Sequence, residues 1–284
     1  MTTLLDRGRR VELASGRRIN VLETGDGVPA LFLHGSSTDS RSLLPLLPHL
    51  DGVRAIVVDR PGFGRSDPVR VPKERFRAAA VAFVDEILDA FGLERPALAG
   101  NSMGGTWALW YALARPERVR RLVLVGSAPL LPGTRAPAPL RLMATPVVGA
   151  LLARVKPNAA MVVRLMASMG EKHSIVRHPE LLATLVATGR DPAATAVNRA
   201  ELRAVLGPLG FRRSALVRAE DLRRVRAPTL LIWGDRDPVA TVEAARVTAE
   251  LIPQAELAVL PAGHVPYLGH PERTAALLSS FVRR

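Results

Sequence analysis

Short apolar runs alternate with amphipathic stretches along most of the chain. Val11–Ser15 and Arg18–Glu23 flank a turn at Gly16 and read as a hairpin. Ala30–Leu33, Ala55–Val58, Ala97–Ala99, Arg121–Val125, Thr229–Trp233 and Glu256–Leu260 are brief apolar runs, too short for helices. Each leads into a loop bearing glycine, aspartate or histidine. Between them the period lengthens. Phe76, Ala79, Phe83, Ile87 and Phe91 share one face of a helix over Phe76–Phe91. Further helices are expected from Gly104 to about Ala114, over Val242–Leu251 and over Pro271–Val282. Buried strands alternating with helices predict an α/β fold with a mostly parallel sheet covered on both faces.

The rhythm breaks between Pro132 and Arg226. This stretch has no convincing strand, several helical segments and many prolines, and it reads as a helical insertion between two core strands. The organisation expected is therefore a core in two parts, residues 1–131 and 227–284, divided by an insertion at 132–226. Four of the six methionines, Met143, Met161, Met166 and Met169, lie in the insertion. Methionine adapts to irregular apolar space, so they suit either the insertion's own core or an apolar pocket beneath it.

Composition narrows the classes. The 284 residues are 48% hydrophobic and 23% charged, which is ordinary for a globular chain. With no cysteine, disulfides, thiolate nucleophiles and cysteine-ligated metals are excluded. No run approaches the roughly 20 apolar residues of a membrane span. The amino terminus lacks the basic-then-apolar plan of a signal peptide, so a cytoplasmic location is expected. The net charge of +13 invites a nucleic-acid reading. Against it, only Lys73, Lys156 and Lys172 are lysines, and aromatic residues make up 4% of the chain, leaving few platforms for stacked bases. Between Pro132 and Arg226 stand 16 basic and 6 acidic residues; the rest of the chain carries 23 and 20. The excess positive charge thus belongs to the insertion, as a solvated surface or as a field that steers anionic substrates.

The chemistry concentrates after the strands. Gly100-Asn101-Ser102-Met103-Gly104 is a Gly-x-Ser-x-Gly sequence with a strand before it and a helix after it, the context that exposes a nucleophilic serine on a sharp turn. Ser102 then needs a base, and the base a carboxylate to orient it. Of the six histidines, His264 follows the last strand in a glycine-containing loop. Asp235 and Asp237 both follow the strand Thr229–Trp233. Asp237, deeper in the loop before Pro238, is the preferred acid, and Asp235 suits a turn. The backbone N–H groups of Met103 and Ser36 are the candidate oxyanion donors, one beside the nucleophile and one in the loop after Ala30–Leu33.

With these residues assembled, the sequence resembles the α/β-hydrolase superfamily. His34-Gly35, Asp59-Arg60-Pro61-Gly62-Phe63-Gly64-Arg65-Ser66, the Ser102 turn, Trp233-Gly234-Asp235-Arg236-Asp237 and Gly263-His264 fall in that family's order and approximate spacing over residues 17–131 and 227–284. The resemblance implies a Ser102–His264–Asp237 triad, an oxyanion hole at Ser36 and Met103, and a helical cap at 132–226. Serine at the turn separates the chain from the epoxide hydrolases and haloalkane dehalogenases, which carry aspartate there. Gly-Asn-Ser-Met-Gly-Gly looks like the turn of the carbon–carbon bond hydrolases of ring-cleavage products. The chain departs from those at His34-Gly35-Ser36-Ser37, at Val265 where they tend to have tryptophan, and after Glu180-Leu181, where their cap arginine has no near counterpart before Arg190.

The expected function is a cofactor-free, metal-free serine hydrolase of small to medium, largely apolar carboxylic esters. Carbon–carbon bond hydrolysis and perhydrolysis are the alternatives. The expected partner is a small-molecule ester, with no nucleic acid and no stable membrane insertion; homo-oligomerisation is left open. A ligand sensor on a hydrolase scaffold is the rival from another class, and a complete triad argues against it.

Overall fold

The computed structural model describes residues 8–69, 72–126, 134, 136, 138–207 and 210–284. Its centre is an eight-stranded sheet. In chain order the first strands are β1 (Arg9–Glu12), β2 (Arg18–Thr24), β3 (Val28–Leu33), β4 (Val53–Val58), β5 (Ala97–Asn101) and β6 (Arg121–Val125). Helix α1 (Phe76–Ala90) precedes β5 and α2 (Met103–Ala114) follows it. After β6 come, among the described residues, seven helices: α3 (Ala138–Ala144), α4 (Pro146–Leu152), α5 (Ala159–Ala167), α6 (Lys172–Ile175), α7 (Pro179–Arg190), α8 (Pro192–Val205) and α9 (Ala219–Leu222). Two-residue strands β7 (Leu206–Gly207) and β8 (Gly210–Phe211) separate α8 from α9. The chain then returns through β9 (Thr229–Gly234), α10 (Val242–Leu251), β10 (Ala255–Leu260), α11 (Pro266–Gly269) and α12 (Pro271–Arg283).

The sheet order is β1-β2-β4-β3-β5-β6-β9-β10. Only β1 and β2 pair antiparallel to their neighbours; β4, β3, β5, β6, β9 and β10 run parallel. The sheet is thus mostly parallel, as the alternation predicts. The apolar runs have a direct cause. A strand covered by helices on both faces has no solvent side, so β5 and β9 are buried at every position. Helix α2 lies in the middle of this packing and is buried from Met103 through Ala112, which explains why it shows no polar stripe.

Several boundaries differ from the sequence reading. The first strand is Arg9–Glu12 rather than Val11–Ser15, because Leu13 N–H bonds to Arg17 O and closes the turn early. Strand β3 starts at Val28 and includes Pro29, whose missing N–H is tolerated because β5 pairs only from Ala30 onward. The insertion contains one tiny hairpin, β7 paired with β8, where no strand was expected. Residues 127–133, 135 and 137, at the expected boundary of the insertion, lie outside the described residues.

Within the helical segment, Val162, Met166, Ile175 and Leu181 join the core cluster under one face of the sheet. Met161, in contrast, is 41% exposed, and Met143 and Met169 are partly buried. The methionines therefore serve packing as much as any pocket. Among the described residues no helix is long and apolar enough to cross a membrane.

Candidate active site

Ser102 stands between β5 and α2 with φ 51° and ψ −119°, a left-handed conformation for a residue with a side chain. Such geometry costs about 1–3 kcal/mol and persists where the surroundings impose it. The two motif glycines are needed for space. A Cβ on Gly100 would lie 2.4 Å from the backbone of Gly104 and Gly105, and one on Gly104 would lie 2.1 Å from Leu33 O. Both obstacles are main chain of the central sheet and its helix, which cannot rotate away. Gly104→Ala is therefore expected to destabilise the protein by about 3 kcal/mol, the upper end of the usual overpacking cost. Denaturant unfolding of the variant measures this; a loss under about 0.5 kcal/mol would contradict it.

The structure brings Ser102, His264 and Asp237 together from three loops. Ser102 Oγ donates to His264 Nε2 at 3.0 Å. His264 Nδ1 donates to Asp237 Oδ2 at 2.9 Å, since an ionised carboxylate only accepts. The other carboxylate oxygen, Oδ1, accepts the N–H groups of Val239 (2.8 Å) and Ala240 (3.2 Å). These bonds lock the Asp237 side chain in the turn after β9. Asp237 and His264 are buried, and the chain of bonds opens outward only at the half-buried Ser102. Asp235 stands apart, its side chain 48% exposed and 3.5 Å from Arg236. His34, His178 and His270 also lie outside this group. His178 and His270 bond to Leu268 O and Pro261 O.

Two residues expected to present N–H groups flank the nucleophile. Met103 opens α2, where first-turn N–H groups lack intrahelical acceptors. Ser36 lies in the loop after β3, next to Ser37, which also has a positive φ of 59°. The Ser36 backbone N–H has no acceptor among the described residues. Together these donors sit at the carboxyl ends of parallel strands, where open α/β sheets place their sites.

Several buried polar residues around the site make contacts that the sequence reading did not assign. His34 is fully buried, and its Nε2 accepts the Arg60 N–H at 2.9 Å. Its Nδ1–H therefore donates to Gly35 O, at 2.8 Å. Burial, and then the nearby Arg60 guanidinium, hold the His34 imidazole well below its ordinary pKa and so neutral. Arg60, fully buried, ion-pairs with Glu201 of α8, and Ser36 Oγ also donates to Glu201. Asp59 gathers the Asp59–Ser66 loop by accepting the N–H groups of Ser40 and Arg65 and the Asn20 amide. On the other side Glu171, from the helical segment, accepts the Val265 N–H at 2.9 Å, and Met169 O accepts the His264 N–H at 2.9 Å. Burial raises the Glu171 pKa above the usual carboxylate range. Among the described residues no group of three or more His, Asp or Glu side chains could hold a metal ion.

Comparison with known proteins follows the same outline. A family described as alpha/beta hydrolase fold matches residues 29–271. A 2-hydroxymuconate semialdehyde hydrolase from Pseudomonas putida is 32% identical over 97% of this chain and 94% of its own length. Lipase 1 from Psychrobacter immobilis is 27% identical over 96% of this chain and 83% of its own. Among solved structures, a serine hydrolase involved in carbazole degradation superposes with a TM-score of 0.78 at 25% identity, covering 97% of this chain and 98% of that one.

Proposed function

Because this chain belongs to the α/β-hydrolase family, we propose that it is a serine hydrolase cleaving a carbon–carbon bond beside a carbonyl in a vinylogous diketo acid of the ring-cleavage type. The observation that carries the reading is the 32% identity, over nearly the whole of both chains, to a 2-hydroxymuconate semialdehyde hydrolase. The Ser102–His264–Asp237 chain of hydrogen bonds supports it.

The chemistry follows from that geometry. Asp237 holds the Nδ1 proton of His264, leaving the Nε2 lone pair to face Ser102. As Ser102 Oγ attacks the carbonyl carbon, its proton passes to Nε2, and Asp237 stabilises the imidazolium. The N–H groups of Met103 and Ser36 hold the resulting alkoxide. When the alkoxide collapses, the carbon–carbon bond breaks and its electron pair leaves with the departing carbon. That carbon takes the proton from His264. Conjugation with the second carbonyl spreads the charge, and this is why a vinylogous diketone can expel carbon where a simple ketone cannot. Water, deprotonated by His264, then releases the acid and restores Ser102.

One observation favours ester hydrolysis as a second reading. Helix α7 carries no basic residue from Pro179 to Gly189, and Arg190 is exposed, with its Nε donating to Pro157 O at 2.8 Å. The one arginine of this helix, Arg190, is thus engaged by the main chain of Pro157. The same nucleophile, base and oxyanion donors would serve an ester, whose alkoxide leaves with the proton of His264.

The two are separated by comparing kcat/KM for 2-hydroxymuconate semialdehyde and for p-nitrophenyl butyrate. A preference of about 100-fold or more for the diketo acid, about 2.7 kcal/mol of differential transition-state binding, is expected. The opposite preference gives the ester reading, and folded protein that turns over neither would sink both.

A further inference from the structure

The loop that presents Ser36 is tied to a helix far away in sequence. Gly35 O and Ser36 N–H belong to one peptide unit, which is planar and trans, so the direction of the carbonyl sets the direction of the N–H. Gly35 O accepts three hydrogen bonds: from His34 Nδ1 at 2.8 Å, from Arg60 Nη2 at 2.9 Å and from Thr38 Oγ1 at 3.2 Å. Arg60 Nε also donates to the preceding carbonyl, His34 O, at 3.0 Å. One guanidinium therefore holds two successive carbonyls of this loop.

Arg60 is itself fully buried and stacked against Phe63 and Trp107, with its Cζ about 5 Å from each ring centroid (5.0 and 4.9 Å). A desolvated cation needs a partner. That partner is Glu201 of α8, 3% exposed, which meets Arg60 Nη1 through Oε2 and Arg60 Nη2 through Oε1. The same Oε1 accepts the Ser36 hydroxyl. Glu201 thus grips both ends of the device, the arginine that orients the Gly35–Ser36 peptide and the side chain of the residue whose N–H is aimed.

We propose that Glu201 is a positioning residue: through Arg60 and Ser36 it orients the Gly35–Ser36 peptide, so the second oxyanion donor is aimed only while α8 is seated on the core. The inference rests on the reading that Ser36 N–H is an oxyanion donor. It makes the helical segment a part of the catalytic machinery rather than only a roof. The chemistry at Ser102 becomes conditional on the seating of α8.

The experiment compares Glu201→Ala and Glu201→Gln with the parent protein, using p-nitrophenyl butyrate and an alkyl boronic acid as a tetrahedral mimic. Each is assayed well below its own Tm. Losing an oxyanion donor typically costs about 10²–10³-fold in kcat. Glu201→Ala is expected to lose about 100-fold in kcat with KM within about 3-fold, and to weaken boronic acid binding by a similar factor. Glu201→Gln, which keeps an acceptor of the same shape, should recover part of this and lose about 10-fold. A role in stability alone would lower Tm while leaving kcat per folded molecule and boronic acid affinity within about 2-fold, and that result overturns the proposal. Should the alanine variant fail to fold, the glutamine variant decides by the same two readouts. A Ser102→Ala control run beside them keeps the failures apart. If it retains turnover, the reading of the site falls. If it is inactive while Glu201 variants are unaffected, only this inference falls.

Discussion

Ser102→Ala is expected to lower kcat by about 10⁴–10⁶-fold, the range seen when a triad nucleophile is removed. The expectation comes from position as well as residue type. Ser102 Oγ is the atom that meets His264 Nε2, at 3.0 Å. No cysteine exists anywhere in the chain to replace it as nucleophile. The substitution leaves the turn intact, because alanine bears the same Cβ at the same positive φ, so Tm should move by only a few degrees. Steady-state assays on the preferred substrate test the rate. Intact mass after treatment with a fluorophosphonate tests the chemistry, since the parent should gain one adduct and the variant none. Turnover above about 1% of the parent in folded variant protein would remove Ser102 from the mechanism.

Asp237→Asn should cost about 10⁴-fold in kcat, a magnitude known for this change in a serine protease triad. The local geometry gives a specific reason. Oδ1 of Asp237 accepts two backbone N–H groups, those of Val239 and Ala240. An asparagine must keep its only oxygen there, because turning its NH₂ toward two donors would leave both unpaired in a buried turn. The NH₂ then occupies the place of Oδ2 and faces His264 Nδ1. It donates to that nitrogen and forces the proton onto Nε2. The imidazole then presents N–H to Ser102 and cannot accept its proton. Folding should be retained, and the pH–rate profile should rise only when hydroxide begins to replace the lost base. Activity within 10-fold of the parent would contradict this orientation.

The two predictions differ in what was legible beforehand. Ser102 could be named because its motif carries its own mechanics, glycines at fixed distances around a strand-to-helix turn. His264 and Asp237 could be named because both follow apolar runs, and residues after the strands of a parallel sheet gather at one edge. Arg60 had no comparable signal. It sits in a recognisable loop, yet nothing in Asp59-Arg60-Pro61-Gly62 says that its guanidinium turns inward to hold two carbonyls. Glu201 was still less visible. In sequence it is one acid on a helix with arginines at 199 and 203, which reads as a solvated face. Glu171 likewise stands beside Lys172 and looks like surface charge, while in the fold it is buried against the Val265 N–H.

The sequence by itself determined the layered α/β architecture and the break in rhythm after the sixth strand, and it singled out Ser102, His264 and Asp237, which the structure brings together. These are local properties: hydrophobic period, turn chemistry and the residue at a strand's end. The tertiary structure alone decided that Oδ1 of Asp237 is held by the N–H groups of Val239 and Ala240. It also decided that the positive insertion lends two buried carboxylates, Glu171 and Glu201, to the loops on either side of Ser102. The partners in those contacts lie 94 to 165 residues apart. A charge buried by such a contact has the same local sequence as one left in water; only the packing of α8 and of the residue before α6 against the loops that carry Ser36, Arg60 and Val265 removes the solvent and makes the pairing matter.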